Sequence, residues 1–288
     1  MGARIVGVVE DVEGWEAGIV KRVVEEYGVL RPRACGGRVL GVIVAVEGID
    51  GAGVTTVSKS LVSILSRVVE ASVVYEKEPT RSPVGLLIRE TLRGRYPTLA
   101  SPHVLAHLFA ADRLHHLYAP GGLLEKVAAG AIVVLDRYKY SSAAYQGGGW
   151  GESLYTPRDI LSLVNALAPP ANMVLYLDVE PEVAYERLRA SRGVIEGPES
   201  PETLRRVREA YESVMRLLEE EPEWPTPNPP WLRGLETLGV EASCLYGQRA
   251  PIVARLDASK PREAVAYNAV RLVVKNLIEH GILEAVRH

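Results

Sequence analysis

The stretch VLGVIVAVEGIDGAGVTT, residues 39–56, decides the fold of this chain. It begins with a continuous apolar, β-branched run over Val39–Val46, which is typical of a strand buried on both faces of a parallel sheet. A glycine-rich turn follows, and helical spacing starts at Thr55. A strand, a glycine-rich turn and a helix in this order form the setting in which backbone N–H groups surround phosphate oxygens.

The turn fits the phosphate-loop pattern G-x-x-x-x-G-K-[ST] at every fixed position except the lysine, which is replaced by Val54. Taken alone, so degenerate a motif leaves open a strand-to-helix turn that binds nothing. In a working loop the lysine reaches the β- and γ-phosphates and the hydroxyl residue binds magnesium. The candidate ATP-binding residues are Gly48, Ile49, Asp50, Gly51, Ala52, Gly53, Val54, Thr55 and Thr56.

Outward from this loop, apolar runs alternate with segments of helical spacing. The further predicted strands are 71–75, 131–135, 173–177 and 251–256. The predicted helices are 55–69, 84–92, 102–128, 181–190, 201–218 and 261–286. This alternation predicts an α/β protein in which helices flank a parallel sheet of about five strands. Together with the phosphate-loop pattern, it indicates a P-loop NTPase-type three-layer αβα fold.

Two regions depart from the alternation. Residues 1–38 are predicted to be an N-terminal extension with a helix over Trp15–Tyr27, and the main domain then spans 39–288. Within that domain we expect a lid at about 187–200. Residues 221–248 carry five of the prolines and two of the four tryptophans, so they read as an irregular insertion anchored by its aromatic side chains.

The composition is that of an ordinary globular protein, with 47% hydrophobic and 24% charged residues. A formal net charge of −3 gives no basic field, so we expect no nucleic-acid partner. The N-terminus lacks the long apolar core of a signal peptide, and no apolar run is long enough for a membrane span, so we expect a cytoplasmic protein.

The two cysteines, Cys35 and Cys244, are far apart in sequence. Two separate buried thiols are the favoured interpretation. Asn, Gln, Met and Cys are scarce, however, which is typical of heat-adapted proteins. Because intracellular proteins of hyperthermophiles do form disulfides, a Cys35–Cys244 bridge remains an alternative.

At VEGIDGAGVTT, and over most of residues 40–192, the sequence resembles the thymidylate kinases. The resemblance implies transfer of the terminal phosphoryl group of ATP to dTMP, with Mg²⁺ as cofactor, and a homodimer. It assigns Asp50 to the sugar 3′-hydroxyl of dTMP. The segment EPTRSPVG, residues 78–85, resembles the family's E-P segment, which makes Arg81 a candidate for the dTMP phosphate.

The segment LFAADR, residues 108–113, resembles the helix that binds thymine in this family. The resemblance implies that Phe109, the only phenylalanine in the chain, stacks on the base while Arg113 bonds to its edge. The spacing i, i+4 puts both side chains on one helix face. A phenylalanine that merely packs in the core is the alternative, although an arginine on such a face also needs a partner, which a nucleotide can supply.

The segment AIVVLDRYKYSSAAYQGGG, residues 131–149, matches the family in one long block. A strand ending in Asp136 is suited to deliver a carboxylate to the magnesium end of a phosphate loop, so Thr55 and Asp136 are the candidate metal ligands. The resemblance gives Arg137 a catalytic role at the acceptor phosphate. It also places Ser142, Tyr145 and Gln146 around the thymine or the sugar. Polar capping residues of a strand, turn and helix are the alternative.

The helix after the fourth strand carries Arg187, Arg189 and Arg192 where the family has its lid. Some members have an arginine directly after the loop aspartate, but this chain has Gly51 there. It therefore resembles the members whose catalytic arginine lies in the lid, and Arg189 and Arg192 are the candidates. For any single one of these arginines, a solvated helix surface is the plainer interpretation. The loop DASKP, residues 257–261, resembles the one that holds the donor adenine.

Val54 removes a positive contact, so a slower enzyme is expected unless another cation substitutes. The candidates are Lys59, Lys77, Lys139 and the lid arginines. Lys59 lies five residues beyond Val54 on the first helix, so its side chain should point away from the loop. This favours Lys77 as the substitute cation. Two functions of different class remain open, namely an active dTMP kinase and a nucleotide-binding homologue that acts through binding. A kinase for another small acceptor is a third possibility, which the thymine-type pocket argues against.

Overall fold

Five of the apolar runs form one parallel sheet in the computed structural model. The structure describes residues 14–192, 200–221, 229–241, 243–244 and 251–286. The sheet strands are β4 (Val42–Gly48), β5 (Val73–Lys77), β6 (Ile132–Asp136), β7 (Met173–Asp178) and β8 (Ile252–Asp257). Their order is β5-β6-β4-β7-β8, and every pair is parallel, so the predicted fold class is confirmed.

Helices cover both faces of this sheet. They are α1 (Trp15–Tyr27), α2 (Val54–Val68), α3 (Pro83–Leu92), α4 (Pro102–Tyr118), α5 (Leu123–Ala128), α6 (Lys139–Ala144), α7 (Pro181–Arg192), α8 (Pro201–Glu220), α9 (Leu232–Thr237) and α10 (Arg262–Glu279). Helices α1 and α10 pack on α2, while α8 packs on α6 and α7. Short 3₁₀, α and π turns occupy Pro97–Leu99, Pro157–Asp159, Tyr145–Gly149 and Ile160–Val164.

The central strand β4 is buried along its whole length, which explains why its sequence is continuously apolar and β-branched. Its neighbours are β6 on one side and β7 on the other, so strands that come later in the chain lie on both sides of β4. The register pairs Val46 with Asp136. The turn after β4 and the carboxylate that ends β6 therefore meet at one edge of the sheet, which is where ligands bind in open α/β sheets.

Two predicted helices end earlier than expected. The one predicted over 102–128 is divided into α4 and α5, because the chain turns at Gly121, whose φ of 73° is a left-handed value that favours glycine. The last helix ends at Glu279, and Gly281 at φ 70° leads into strand β9 (Leu283–Ala285). Helix α1 covers the predicted residues.

Strand β1 (Leu30–Pro32) pairs antiparallel with β9, so the first and last described strands meet. Two guanidinium groups support the pairing, because Arg31 and Arg33 both bind the carboxylate of Glu284. Helix α1 places Val20 and Val23 in the same apolar core as the sheet. This part of residues 1–38 thus packs on the core, whereas the apolar run at 5–9 lies outside the described residues.

The cysteines form a disulfide, with Cα atoms 5.5 Å apart. The favoured interpretation of two separate buried thiols is therefore wrong. Strands β2 (Ala34–Cys35) and β3 (Arg38–Val39) form a hairpin that also binds the insertion through a hydrogen bond of 2.8 Å from Arg38 to the carbonyl of Gly239. The disulfide and this hydrogen bond join the insertion to the hairpin, and Trp231 and Leu235 of the insertion are buried in the core.

Within the described residues, none of the helices combines the length and the apolar character that a membrane crossing requires.

Candidate functional site

The turn after β4 has the backbone of a phosphate loop. Gly53 caps α2 with a left-handed φ of 94°, and the helix begins at Val54. At Gly51, φ is 84° and an added Cβ would lie 2.3 Å from the carbonyl oxygen of Ala184 on α7. Any side chain at position 51 would thus clash with α7, which gives a physical reason why this position holds no arginine. The Val54 side chain is only 5% exposed and belongs to the core.

Thr55 and Asp136 meet at the mouth of this loop. The Thr55 hydroxyl donates to Asp136 Oδ2 at 2.5 Å, and the Tyr75 hydroxyl donates to the same oxygen at 2.7 Å. Lys77, the last residue of β5, donates to Asp136 Oδ2 at 2.8 Å and to Thr55 Oγ1 at 2.9 Å. Burial disfavours ionisation of Asp136, but the hydrogen bonds from Lys77 and Thr55 outweigh it and lower the pKa of the carboxyl. Asp136 is therefore an anion.

These residues fit a magnesium ion. Asp136 Oδ1 is buried and, in the described part of the chain, has no hydrogen-bond partner. A buried carboxylate oxygen in that state is costly unless a cation or water takes it. Carboxylate and hydroxyl oxygens are also the ligands that magnesium prefers. Thr55 and Asp136 could together hold the ion, directly or through water.

Arg137 is fixed by four groups around it. Its guanidinium donates to the Gly48 carbonyl at 2.7 Å, to Asp50 Oδ1 at 2.7 Å and, at longer range, to the hydroxyls of Ser141 and Tyr211. Its backbone has a φ of 72°, a left-handed value that is rare outside glycine. Such a conformation costs about 1–3 kcal/mol and persists where the surroundings determine it. The structure therefore holds this guanidinium in one place beside the phosphate loop.

Glu47, directly before the loop, organises the other side of this cluster. Its carboxylate is fully buried and accepts hydrogen bonds from the Tyr138 backbone N–H at 2.8 Å and from the Tyr211 hydroxyl at 3.0 Å. The Ser141 hydroxyl also donates to it. Burial raises the pKa of Glu47 to about 7 although these bonds oppose the shift. Glu47 thus anchors the hydroxyls that contact Arg137.

A cavity of about 910 Å³ opens next to the loop. This volume is within the range of small-molecule sites. Most of the charged residues that line the cavity are basic, and aromatic side chains form another part of the lining. The lining includes Asp50, Lys77, Glu78, Arg89, Arg93, Phe109, Arg113, Arg137, Tyr138, Ser142, Tyr145, Gln146 and Trp150. All the residues predicted for dTMP, apart from Arg81, therefore line one cavity.

Arg113 lines the cavity and already has partners within the protein. The side chain is 1% exposed and pairs with Glu78 at 2.7 Å. It also donates to Asn165 Oδ1 at 2.5 Å and to the Ser142 hydroxyl at 3.2 Å. The protein itself thus compensates the charge of Arg113. Phe109, one turn earlier on α4, is partly exposed and lines the cavity.

Arg81 is exposed and is not part of the cavity lining. The reason lies in its neighbours, because Thr80 and Ser82 both turn inward to the buried carboxylate of Asp112, with hydroxyl-to-oxygen distances of 2.6 Å. Residue 81 between them faces outward. Arg89 on α3 lines the cavity instead, and it donates to the Pro79 carbonyl at 2.8 Å.

Two arginines of α7 have described side chains. Arg189 is exposed and pairs with Glu186 at 3.4 Å. Arg187 donates to the Ser259 carbonyl at 3.4 Å, which joins α7 to the loop predicted to hold adenine. Arg192 ends α7, and neither its side chain nor residues 193–199 belong to the described part.

Sequence reasoning missed several residues of this site. Glu47 had a usable signal, because a carboxylate directly before the loop glycine interrupts an otherwise apolar strand. Tyr75 lay at the end of a predicted strand, next to the mouth of the loop. Tyr211 and Asn165 come from distant elements and carry no local pattern. Arg89 shows only ordinary helix spacing.

Comparison with known proteins shows which family the sequence of this chain matches. The family model described as thymidylate kinase matches residues 46–223. A "Putative thymidylate kinase" of Aeropyrum pernix is 44% identical over 176 residues, which are 61% of this chain and 79% of that protein. A "Probable thymidylate kinase" of Pyrobaculum calidifontis is 40% identical over 169 residues, 58% of this chain and 79% of that protein. A "Thymidylate kinase" of Xylella fastidiosa strain M23 is 37% identical over 172 residues, which are 59% of this chain and 74% of that protein.

Proposed function

This chain belongs to the thymidylate kinase family, and from that premise we propose that it transfers the terminal phosphoryl group of ATP to dTMP and forms dTDP. The observation that carries the proposal is the single cavity beside the phosphate loop. It brings together Asp50, Phe109, Arg113 and Arg137 from three separate sequence blocks. Family membership does not favour the alternative of a protein that only binds nucleotides.

The acceptor binds in the cavity. We assign the thymine ring to the face of Phe109, with Ser142, Gln146 and Arg113 along its edge. The aromatic side chains of the lining supply stacking, and the buried polar groups reject a base that cannot pair with them. We assign the sugar to Asp50 and Tyr145, which are joined by a hydrogen bond of 3.1 Å from the Asp50 backbone N–H to the Tyr145 hydroxyl. Arg137 and Arg89 then face the acceptor phosphate.

The donor binds at the loop, where the backbone N–H groups of residues 48–56 surround its phosphates at the start of α2. Magnesium, when bound, neutralises negative charge on the phosphate oxygens of ATP. Arg137 is held rigidly by Gly48 and Asp50, so its charge is in place before the transfer begins. Proximity and fixed charges are the main contributions that phosphoryl transfer requires from a protein. We propose that Arg189 or Arg192 of the lid adds a further cation.

A coupled assay with ATP, magnesium and dTMP tests the function. We expect ADP release that depends on dTMP and that falls sharply when dUMP, dCMP or dGMP replaces it. Asp50→Asn should raise the KM for dTMP more than the KM for ATP. Measurable dTMP binding without turnover would contradict the kinase proposal. Turnover that is equal for all four acceptors would contradict the assigned base pocket.

We also propose a cytoplasmic homodimer that works at elevated temperature. The scarcity of Asn, Gln, Met and Cys supports heat adaptation. The exposed side chains of Leu154, Leu163 and Leu86 are candidates for contacts with a second copy. Light scattering after size exclusion should give twice the chain mass of 31.4 kDa, and a single chain mass would contradict the dimer.

A further inference from the structure

The loop lacks an ammonium group at its usual position. Position 54 holds a buried valine, so the first turn of α2 presents backbone donors and the hydroxyls of Thr55 and Thr56 but no cation. Lys59 is exposed, and its Nζ lies over the Tyr75 ring at 6.0 Å from the centroid. Lys139 is buried and donates to the Ala168 carbonyl at 2.9 Å. Among the described residues, the Lys59 side chain makes no hydrogen bond or ion pair with the loop, and the Lys139 ammonium is engaged at Ala168.

Lys77 does reach the loop, from a different strand. The sheet register pairs Lys77 with Asp136 and Asp136 with Val46, so the ends of β5, β6 and β4 lie side by side. The Lys77 ammonium bonds to Thr55 Oγ1, one residue beyond the missing lysine, at 2.9 Å. Lys77 also lines the acceptor cavity. Its ammonium therefore lies between the donor loop and the acceptor site.

The ammonium is also free to meet a ligand. Its side chain is 47% exposed, which leaves room for a phosphate beside it. Two of its three N–H donors have acceptors among the described residues, and the third remains for a phosphate oxygen. Because Lys77 uses Asp136 Oδ2 while Oδ1 stays open, the ammonium and a metal ion do not need the same carboxylate oxygen.

We propose that Lys77 supplies to the donor phosphates the positive charge that a lysine at position 54 would give. This inference rests on the proposed kinase function. In the transfer, an oxygen of the dTMP phosphate forms a bond to the γ-phosphorus of ATP. The bond from that phosphorus to the β,γ-bridging oxygen breaks, and its electron pair stays on the β-phosphate of ADP. Lys77 stabilises this negative charge and transfers no proton.

The test compares single and double variants. Lys77→Gln keeps hydrogen-bonding capacity toward Asp136 but removes the charge, and Lys77→Met removes both. We expect each to lower kcat by roughly a hundredfold, the scale for losing one charge-stabilising donor, with little change in the KM for dTMP. Lys59→Met, which removes a nearby exposed lysine, should leave kcat unchanged. Adding Val54→Lys to Lys77→Gln should restore most of the loss, whereas adding Val54→Met should not.

A lysine that only holds Asp136 in place gives a different pattern, because a charge restored at position 54 would not then recover kcat. That result, or a Lys77→Gln variant with wild-type kcat, overturns the proposal. Thermal unfolding of each variant shows whether it is folded, and Lys77→Gln is the variant to use if Lys77→Met is unstable.

Calorimetric affinity for metal-free ATP separates this inference from the kinase proposal. If the wild type forms no dTDP, the function fails, but Lys77→Gln should still bind ATP about tenfold more weakly than wild type, as expected for a lost charged hydrogen bond. Equal ATP affinities overturn the role of Lys77 whether or not the chain is a kinase.

Discussion

The pair Glu78–Arg113 allows a prediction of stability from the geometry of the site. The side chains are 2% and 1% exposed, and Glu78 Oε2 accepts the Nε–H of Arg113 at 2.8 Å and lies 2.7 Å from Nη2. Glu78→Gln leaves a buried guanidinium without its counter-charge. Breaking a buried pair in this way costs about 3–5 kcal/mol. Because the glutamine carbonyl can still accept a hydrogen bond, we expect the lower end, about 3 kcal/mol.

Equilibrium urea unfolding followed by circular dichroism measures this loss, since urea leaves charges unscreened. The matched control is Glu90→Gln, because Glu90 pairs with Arg93 and Arg95 at the surface and its loss should change stability little. In thermal scans, a loss of this size corresponds to a decrease of roughly 6–12 °C for a chain of this length.

A double-mutant cycle separates the ion pair from general disruption of the pocket. Arg113→Met combined with Glu78→Gln removes both charges, so the double variant should be less destabilised than the sum of the two single variants. A Glu78→Gln variant as stable as the Glu90→Gln control would refute the reasoning. Strict additivity in the cycle would also refute it.

Three further predictions follow from other parts of the structure. Phe109→Ala should weaken dTMP binding roughly ten- to hundredfold in calorimetry, the scale of one lost stacking contact, and should leave ATP affinity unchanged. Burial opposes the charge of His116, but hydrogen bonds to Glu76 and Glu78 outweigh it and raise its pKa to about 9. The stabilisation that results should be present below about pH 6.5 and lost as pH rises to about 9. His116→Asn should therefore reduce the pH dependence of the free energy of unfolding, measured with urea over that range. Replacing Cys35 and Cys244 by serine should lower stability by roughly 2–4 kcal/mol, and unchanged urea midpoints would contradict a stabilising disulfide.

Much of the fold followed from local patterns. The continuous apolar runs of β4, β6 and β7 are typical of strands buried on both faces of a parallel sheet, and their alternation with helical segments favoured that interpretation. Helix ends were less predictable. A glycine pair at 121–122 divides α4 from α5, and helical periodicity on either side does not reveal such a break.

The candidate site was predictable where one segment carries several functional side chains. Phe109 and Arg113 share a helix face, and Asp136 and Arg137 follow one strand, so their placement near the loop depended on the sheet order alone. The exposed position of Arg81 was not predictable, because it depends on Asp112, which is some thirty residues away in sequence yet binds the two neighbours of Arg81.

Long-range partners were also beyond the reach of sequence patterns. The disulfide joins residues 209 positions apart, and nothing near either cysteine indicates the other. Tyr211 reaches Glu47 and Arg137 from α8 because that helix packs across α6. Such contacts are determined by how the layers pack, and helical spacing only indicates which face of α8 is buried.

The central claim is that a chain with valine at position 54 still transfers phosphoryl groups to dTMP. The most direct measurement incubates the full chain with magnesium, dTMP and ATP labelled in its terminal phosphate, at elevated temperature. The account predicts that label accumulates in dTDP with repeated turnover, and that omitting dTMP abolishes this transfer. Label that remains in ATP or appears only as free phosphate, while dTMP binds measurably, would contradict it.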